Sequence, residues 1–389
     1  MEPFAGVDFM DLDSLLEEDE ILVRNTVREW TEKRVIPGIE DYYERHEFPA
    51  ELIGEMAELG LLGPNLPETY GCAGTNNVVY GLICQELERG DSGLRSFVSV
   101  QGSLVMWPIH EYGSEEQKNH YLPRLARGEL VGCYGLTEPD FGSNPGGMVT
   151  RAVREGDEWI LNGAKMWITN GGIADVAVVW AKAEDEVRGF IVHRDDSGFS
   201  TQDQLHKHSL RASVTSELIF TDCRIPGDRI LPGARGLRAP LSCLTQARYG
   251  IAWGTIGSAM ACYDTALQYA RERTQFDRPI AGFQLVQERL VRMLSEITKG
   301  QLLNLQLGRL KDDGRADFAR VSLAKRNGCQ VAREAAKLAR ETLGANGITA
   351  EYPIMRHLGN IESVYTYEGT HDMHTLIVGQ AITGIAAYT

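Results

Sequence analysis

The sequence predicts an α+β chain built in three successive parts. These are an N-terminal helical domain over residues 1–129, a middle antiparallel β-barrel domain over 130–235 and a C-terminal four-helix-bundle domain over 236–389. Three observations carry this prediction. Apolar residues recur at helical spacing in the first and last parts. Short runs of β-forming residues, separated by polar and glycine-containing turns, crowd the middle part. The long apolar stripes of the last part are the pattern of helices packed in a bundle.

In the first part, Val23, Val27 and Trp30 mark one helix face, and Pro37 stops that helix. Pro49 opens another, with Leu52, Met56 and Leu59 on one face and Gly60 just past its end. Ser114 and Gln117 form a capping box, and Gly128 closes the helix it starts. In the middle part, Trp159 to Leu161, Lys165 to Thr169, Val176 to Trp180, Phe190 to His193 and Glu217 to Phe220 read as strands. Glu155-Gly156-Asp157 and Asn162-Gly163 read as turns between them. In the last part, Ile256 to Arg273, Phe283 to Lys311 and the alanine-rich Val331 to Leu343, ended by Gly344, read as helices. No internal repeat occurs at a fixed period.

The chain has 389 residues, 43% of them apolar, which is ordinary for a globular protein and unlike disorder. A net charge of −15 speaks against nucleic acid and anionic membrane surfaces as partners. No apolar run is long enough for a transmembrane helix. The acidic start, with Asp8, Asp11, Asp13 and Glu17 to Glu20, fits neither a signal peptide nor a mitochondrial presequence. The seven scattered cysteines contain no CxxC pair, so reduced thiols in a cytoplasmic setting are expected, without a disulfide framework or a zinc site.

Several chemistries lack their motifs. Leu343-Gly344-Ala345-Asn346-Gly347 follows a helix and has the wrong glycine spacing for a dinucleotide fold. There is no P-loop and no GxSxG elbow. His371 and His374, or His206 and His208, are spaced for a metal, but no carboxylate cluster completes a ligand set, so none is expected. Three segments stand out from plain scaffold: Tyr134-Gly135-Leu136-Thr137-Glu138-Pro139 with Gly142-Ser143, Lys165 to Gly172, and Tyr365 to His371. Each combines hydroxyls, an aromatic ring and glycine near the edge of an element. On composition alone they read as turns and strand ends.

Together and in this order, these segments resemble the acyl-CoA dehydrogenase family. Arg273-Thr274-Gln275-Phe276, Gln284 and the stretch Glu341 to Gly347 extend the resemblance over the whole chain. The resemblance implies FAD as cofactor. Tyr134, Leu136, Thr137 and Ser143 would line the flavin. Trp167 and Ile168 would pack against it, with Thr169 near its reactive nitrogen, and Thr370 and Asp372 would complete the site. Arg273, Phe276, Gln284, Glu341, Gly344 and Ala345 would reach the FAD of a neighbouring subunit, which implies a homo-oligomer, typically a tetramer. Glu368 matches the catalytic base, and electrons would pass to an electron-transfer flavoprotein.

Within the family, Glu86 to Ser96, Ala247 to Gly254 and Thr366 to His371 look like the glutaryl-CoA dehydrogenases. That implies Arg95 gripping a substrate carboxylate, with Ser96 and Glu88 orienting it and Tyr367 beside the reacting end. Ser143, Leu241, Leu244, Thr245, Arg248, Gly369 and Tyr388 would make the other acyl-CoA contacts. Thr245 and Gln246 depart from a pair of asparagines in close relatives, and Asn144 departs from an aspartate. Three alternatives stay open: a dehydrogenase of another short acyl thioester without decarboxylation, an oxidase, and a flavin-free scaffold on the same fold.

Overall fold

A computed structural model of the chain describes Phe4 and residues 6–387. Seven helices come first: α1 (Glu18–Trp30), α2 (Ile39–Arg45), α3 (Leu52–Glu58), α4 (Asn77–Gly90), α5 (Ser92–Ser99), α6 (Trp107–Tyr112) and α7 (Glu115–Ala126). Seven strands follow: β1 (Gly132–Gly135), β2 (Arg151–Glu155), β3 (Glu158–Thr169), β4 (Val176–Ala183), β5 (Glu186–His193), β6 (Phe199–Asp203) and β7 (Thr215–Pro226). Next come α8 (Arg238–Glu272), a short hairpin of β8 (Thr274–Gln275) and β9 (Arg278–Pro279), α9 (Gln284–Asp312), α10 (Phe318–Leu343), α11 (Ile354–Thr366) and α12 (His371–Thr383). Among the described residues no helix is long and apolar enough to cross a membrane.

Local chemistry accounts for several helix ends. Ser114 caps α7 by accepting from the Gln117 amide, and the Gln117 side chain reaches back to the Ser114 amide. Asn76 caps α4, Asp91 caps α5 and Thr370 caps α12 by accepting from an amide of the first turn, without the return bond.

The seven-stranded sheet runs in the order β1-β4-β2-β3-β7-β6, with β5 on β4. The expected barrel is an open half-barrel, and it is not wholly antiparallel. β1, which enters directly from α7, runs parallel to β4, as does one residue pair between β2 and β4. The other pairings are antiparallel. The Asn162-Gly163 pair does not turn the chain. It lies inside the single long strand β3, where the register on β7 shifts between Leu161 and Gly163. Gly163 has a φ of 144°, and a Cβ there would lie 2.8 Å from the Thr150 Cα, so the bulge needs glycine. A two-residue turn signal and a bulge signal share this composition, and only the strand pairing separates them.

β4 shows why the sheet sits where it does. Ala177, Val179 and Ala181 join the core beneath the N-terminal helices. Val176, Val178 and Trp180 join a second core with α6, α7 and the start of α8. Both faces are buried, hence the unbroken apolar run. α8 begins at Arg238, well before the expected Ile256. Its residues 247–260 are buried on every side between α4 and α10. Such a helix loses the one-sided stripe by which a surface helix is recognised. The alanine-rich α10 starts at Phe318 and packs against α8, α9, α11 and α12.

Candidate active site

A cleft of about 1720 Å³ opens between the sheet and the C-terminal helices. That is larger than the roughly 300–1,000 Å³ of a common small-molecule pocket. Tyr134, Leu136 and Thr137 reach it from the end of β1, and Ser143 from the loop beyond. Trp167, Ile168 and Thr169 reach it from the end of β3. Leu241, Leu244, Thr245 and Arg248 reach it from one face of α8, as their spacing requires. Ser96 enters from α5, and Tyr367, Glu368, Gly369 and Thr370 from the turn between α11 and α12.

The sheet side is held by a buried ion pair. Lys165 Nζ donates to the Leu136 carbonyl at 3.1 Å and to Glu138 Oε1 at 2.8 Å. Glu138 also accepts from the amides of Val149 and Thr150. Burial pulls the Lys165 ammonium down to about 8, while its donors hold the Glu138 carboxyl below the ordinary range. The Met166 amide donates to the Thr137 carbonyl, so the two sheet segments are tied edge to edge. Just beyond, the register of β3 on β7 shifts again, and Trp167 takes a φ of 63°. Bulges of this kind re-aim a side chain. Trp167 is 63% exposed, as is uncommon for tryptophan, and it lies in the cleft wall. An exposed flat ring beside the hydroxyl-bearing side chains of Thr137 and Thr169 fits a planar heteroaromatic group with a polar edge.

The helical side carries the charge. Glu368 has a φ of 52°, rare for a residue with a Cβ, and its buried Oε2 has no hydrogen-bond partner. Desolvation raises its carboxyl above the ordinary value, against the opposing pull of Arg95, Lys325 and Arg248. Arg248 Nε donates to the Glu368 carbonyl at 2.7 Å.

Behind Ser96 lies a second buried ion pair. Arg95 Nε donates to Glu88 Oε2 at 2.5 Å, and Ser92 donates to the other Glu88 oxygen. Arg95 Nη2 donates to the Tyr367 hydroxyl, which is also 3.0 Å from Ser96 Oγ. Burial pushes the Tyr367 phenol above its ordinary range, so it stays a hydroxyl. The remaining Arg95 nitrogen, Nη1, is buried and has no partner. Gly254 of α8 makes room for this pair, because a Cβ there would overlap Glu88 Oε2 and crowd Arg95.

The chain matches, in succession, the N-terminal domain of the acyl-CoA dehydrogenases over residues 17–129, the middle domain over 133–223 and the C-terminal domain over 234–383. The short-chain specific acyl-CoA dehydrogenase of Homo sapiens is 34% identical over 370 residues, covering 93% of this chain and 90% of that protein. This protein is a member of the acyl-CoA dehydrogenase family. Among solved structures, a glutaryl-CoA dehydrogenase from Mycobacterium smegmatis is 55% identical, with a TM-score of 0.97, over 99% of this chain and 100% of that one. A second from the same organism, solved in complex with FADH2, is 52% identical with a TM-score of 0.98, over the full length of both chains.

Not every residue singled out in the sequence lies in the acyl-CoA dehydrogenase cleft. Glu88 and Arg95 stand behind its wall, and Asp372 is exposed on the first turn of α12. Arg273, Phe276, Gln284, Glu341, Gly344 and Ala345 are not among its lining residues. Phe276, with a φ of 50°, lies in the turn between β8 and β9 and is 87% exposed. Tyr388 lies outside the described residues. Conversely, the loop Gln204 to Leu210 lines the cleft without any motif to announce it. Lys207 braces that loop by donating to the carbonyls of Leu210 and Ser213 and to Thr215 Oγ1. Phe318 and Arg238, at the starts of α10 and α8, also line it. Sequence reasoning missed them because it placed both helix starts too late.

Proposed function

We propose that this acyl-CoA dehydrogenase uses FAD to oxidise a short dicarboxylic acyl-CoA, glutaryl-CoA, with loss of its terminal carboxylate. The observation that carries the reading is the pairing of two groups at one end of the site. One is a desolvated carboxylate, Glu368, whose buried Oε2 has no hydrogen-bond partner. The other is a buried guanidinium, Arg95, with an unused donor, reached through Ser96 and Tyr367. A carboxylate raised by desolvation is a stronger base than one in water and can take the weakly acidic α-proton of a thioester. FAD, when bound, accepts the hydride that leaves the β-carbon. Trp167, Thr137 and Thr169 would hold the flavin, a fit supported by the exposed ring and hydroxyls in the cleft wall.

Arg95 would bind the far carboxylate of the substrate, with Glu88 fixing the guanidinium plane. Once the double bond is in place, the bond to the γ-carboxylate can break, carbon dioxide leaves, and its electron pair moves into the conjugated thioester. Glu368, now carrying the α-proton, returns it to the γ-carbon to give crotonyl-CoA. The neighbouring-subunit residues and an electron-transfer flavoprotein as acceptor belong to the same proposal. The neighbouring-subunit part is supported by the exposed β8–β9 turn, where Phe276 is 87% exposed and meets only the edge of Phe283 among the described rings.

The test is anaerobic mixing of the flavin-loaded enzyme with glutaryl-CoA, followed by flavin absorbance and product mass. Bleaching with crotonyl-CoA is expected. Bleaching with glutaconyl-CoA would retain the dehydrogenase and reject the decarboxylase. Bleaching by butyryl-CoA but not by glutaryl-CoA would reject the diacid.

A further inference from the structure

Beneath the turn that bears Glu368 lies a buried cation that the proposed chemistry does not use. Lys325, on α10, is almost wholly buried. Its Nζ donates to the carbonyls of Tyr367 and Gly369, each at 2.8 Å. The carbonyl between them, that of Glu368, accepts from Arg248. Three consecutive carbonyls are thus drawn onto two cations, at the point where Glu368 adopts its left-handed backbone. Such a conformation persists only where its surroundings over-determine it. Buried ammonium groups are otherwise found paired with acids. Among the described residues Lys325 forms no ion pair, and Glu368 is the carboxylate whose charge acts on it.

We propose that Lys325 is a positioning residue for the catalytic base: its ammonium fixes the Tyr367–Gly369 backbone so that Glu368 enters the cleft in one orientation, and its charge favours the carboxylate over the neutral acid. The proposal rests on Glu368 being the base. Among the described residues the other groups facing this point keep one state near neutral pH. Arg95 of α5 and Arg248 of α8 are guanidiniums and stay charged, and burial keeps the phenols of Tyr134 and Tyr367 protonated. His374 of α12 is held neutral by burial beside Lys325 and Arg248, with its Nδ1 3.0 Å from Ser322 Oγ. His371, stacked on Tyr365, is likewise lowered by burial, and burial keeps the Cys329 thiol protonated. Burial pulls Lys325 itself down to about 8. It is the neighbouring cation whose charge can be lost in the working range.

The experiment is anaerobic flavin reduction, expressed per mole of bound FAD, between about pH 5.5 and 9. Wild type, Lys325→Met, Lys325→Gln and Glu368→Gln are compared. Lys325→Met is expected to lower the limiting rate about 100-fold, the scale of a small misplacement of a reacting group. Substrate affinity should stay within about threefold, since the lysine does not line the cleft. The acid limb of its profile should move up by roughly half a unit or more, because a cation that favoured the carboxylate is gone. Lys325→Gln, an uncharged donor, should regain part of the rate but keep the moved limb. If Lys325→Met does not accumulate as a flavoprotein, the glutamine variant carries the comparison. A wild-type rate and limb in either variant overturns the proposal. So does a rate that falls only with bound FAD while the limb stays put. Loss of FAD in both variants, but not in Glu368→Gln, would assign the lysine to stability alone. A Glu368→Gln enzyme that still reduces flavin at the wild-type rate would overturn the base reading itself, a result distinct from the others.

Discussion

At the scale of single residues, the site is governed by what burial does to charge. Glu368 has its carboxyl raised above the ordinary 4.5 by desolvation, and three cations only partly offset this. Its charged form is the active one, so flavin reduction should fall as pH drops through that raised value. The effect on stability has the opposite sign. A folded-state value above the unfolded one contributes stability that is complete below the unfolded value and is lost as pH rises through the folded value. Glu368→Gln should therefore melt roughly 1–3 °C above wild type near neutral pH, while losing about 10³-fold in rate. A calorimetric scan and a stopped-flow trace on the same sample check both.

Glu88 shows the opposite response to loss of its carboxylate. Truncating it leaves the Arg95 guanidinium buried without its carboxylate, a loss on the order of 3–5 kcal/mol. Glu88→Ala should unfold at lower urea concentration than Arg95→Met, because a carboxylate left alone can be neutralised by a proton while a guanidinium keeps its charge. Equal midpoints would mean that the pair is not the desolvated unit described above.

At the scale of elements, two supports deserve separate tests. Gly254 lets α8 pass against the Glu88–Arg95 pair. Gly254→Ala should destabilise by about 1–3 kcal/mol through overpacking. It should also weaken glutaryl-CoA binding more than butyryl-CoA binding, measured by titrating the flavin spectrum with each ligand. Lys165 ties β3 to the carbonyl of Leu136 and to Glu138. Lys165→Met should lower the flavin content of purified protein, because the Leu136–Thr137 edge loses its brace while Glu138 stays buried. Full flavin content would show that the Met166–Thr137 backbone bond suffices.

At the scale of the whole molecule, the cleft walls come from all three parts of the chain, so none of them makes the site alone. The β8–β9 hairpin and the start of α9 do not line their own cleft, and Phe276 is exposed. If they serve a neighbouring subunit, Phe276→Ala should lower FAD retention on gel filtration while leaving the circular dichroism unchanged. Wild type should sediment well above the 43.1 kDa of one chain. A monomer that keeps its flavin would reject the shared site.

The order of helices, strands and helices was legible because burial on one face leaves a period in the sequence. The capping box at Ser114 and the ending at Gly128 were legible because caps are local hydrogen bonds between near neighbours. The cleft segments around Thr137, Trp167 and Glu368 could be singled out by their unusual mixture of hydroxyls, rings and glycine. Their roles came only through resemblance. What the sequence could not decide was non-local. Buried on all sides over residues 247–260, α8 has no stripe there, and its start was read at Ile256 instead of Arg238. Asn162-Gly163 has the composition of a turn, and only pairing with β7 makes it a bulge. Lys325 falls between the helices read at Phe283 to Lys311 and Val331 to Leu343, and nothing within a few residues reveals the two carbonyls, over forty positions away, that hold it. Periodicity and caps are written in the chain because neighbours along it enforce them. The register, the bulges and the cations behind the base were decided by tertiary contact, where the partners are distant in sequence and the energy comes from burying them together.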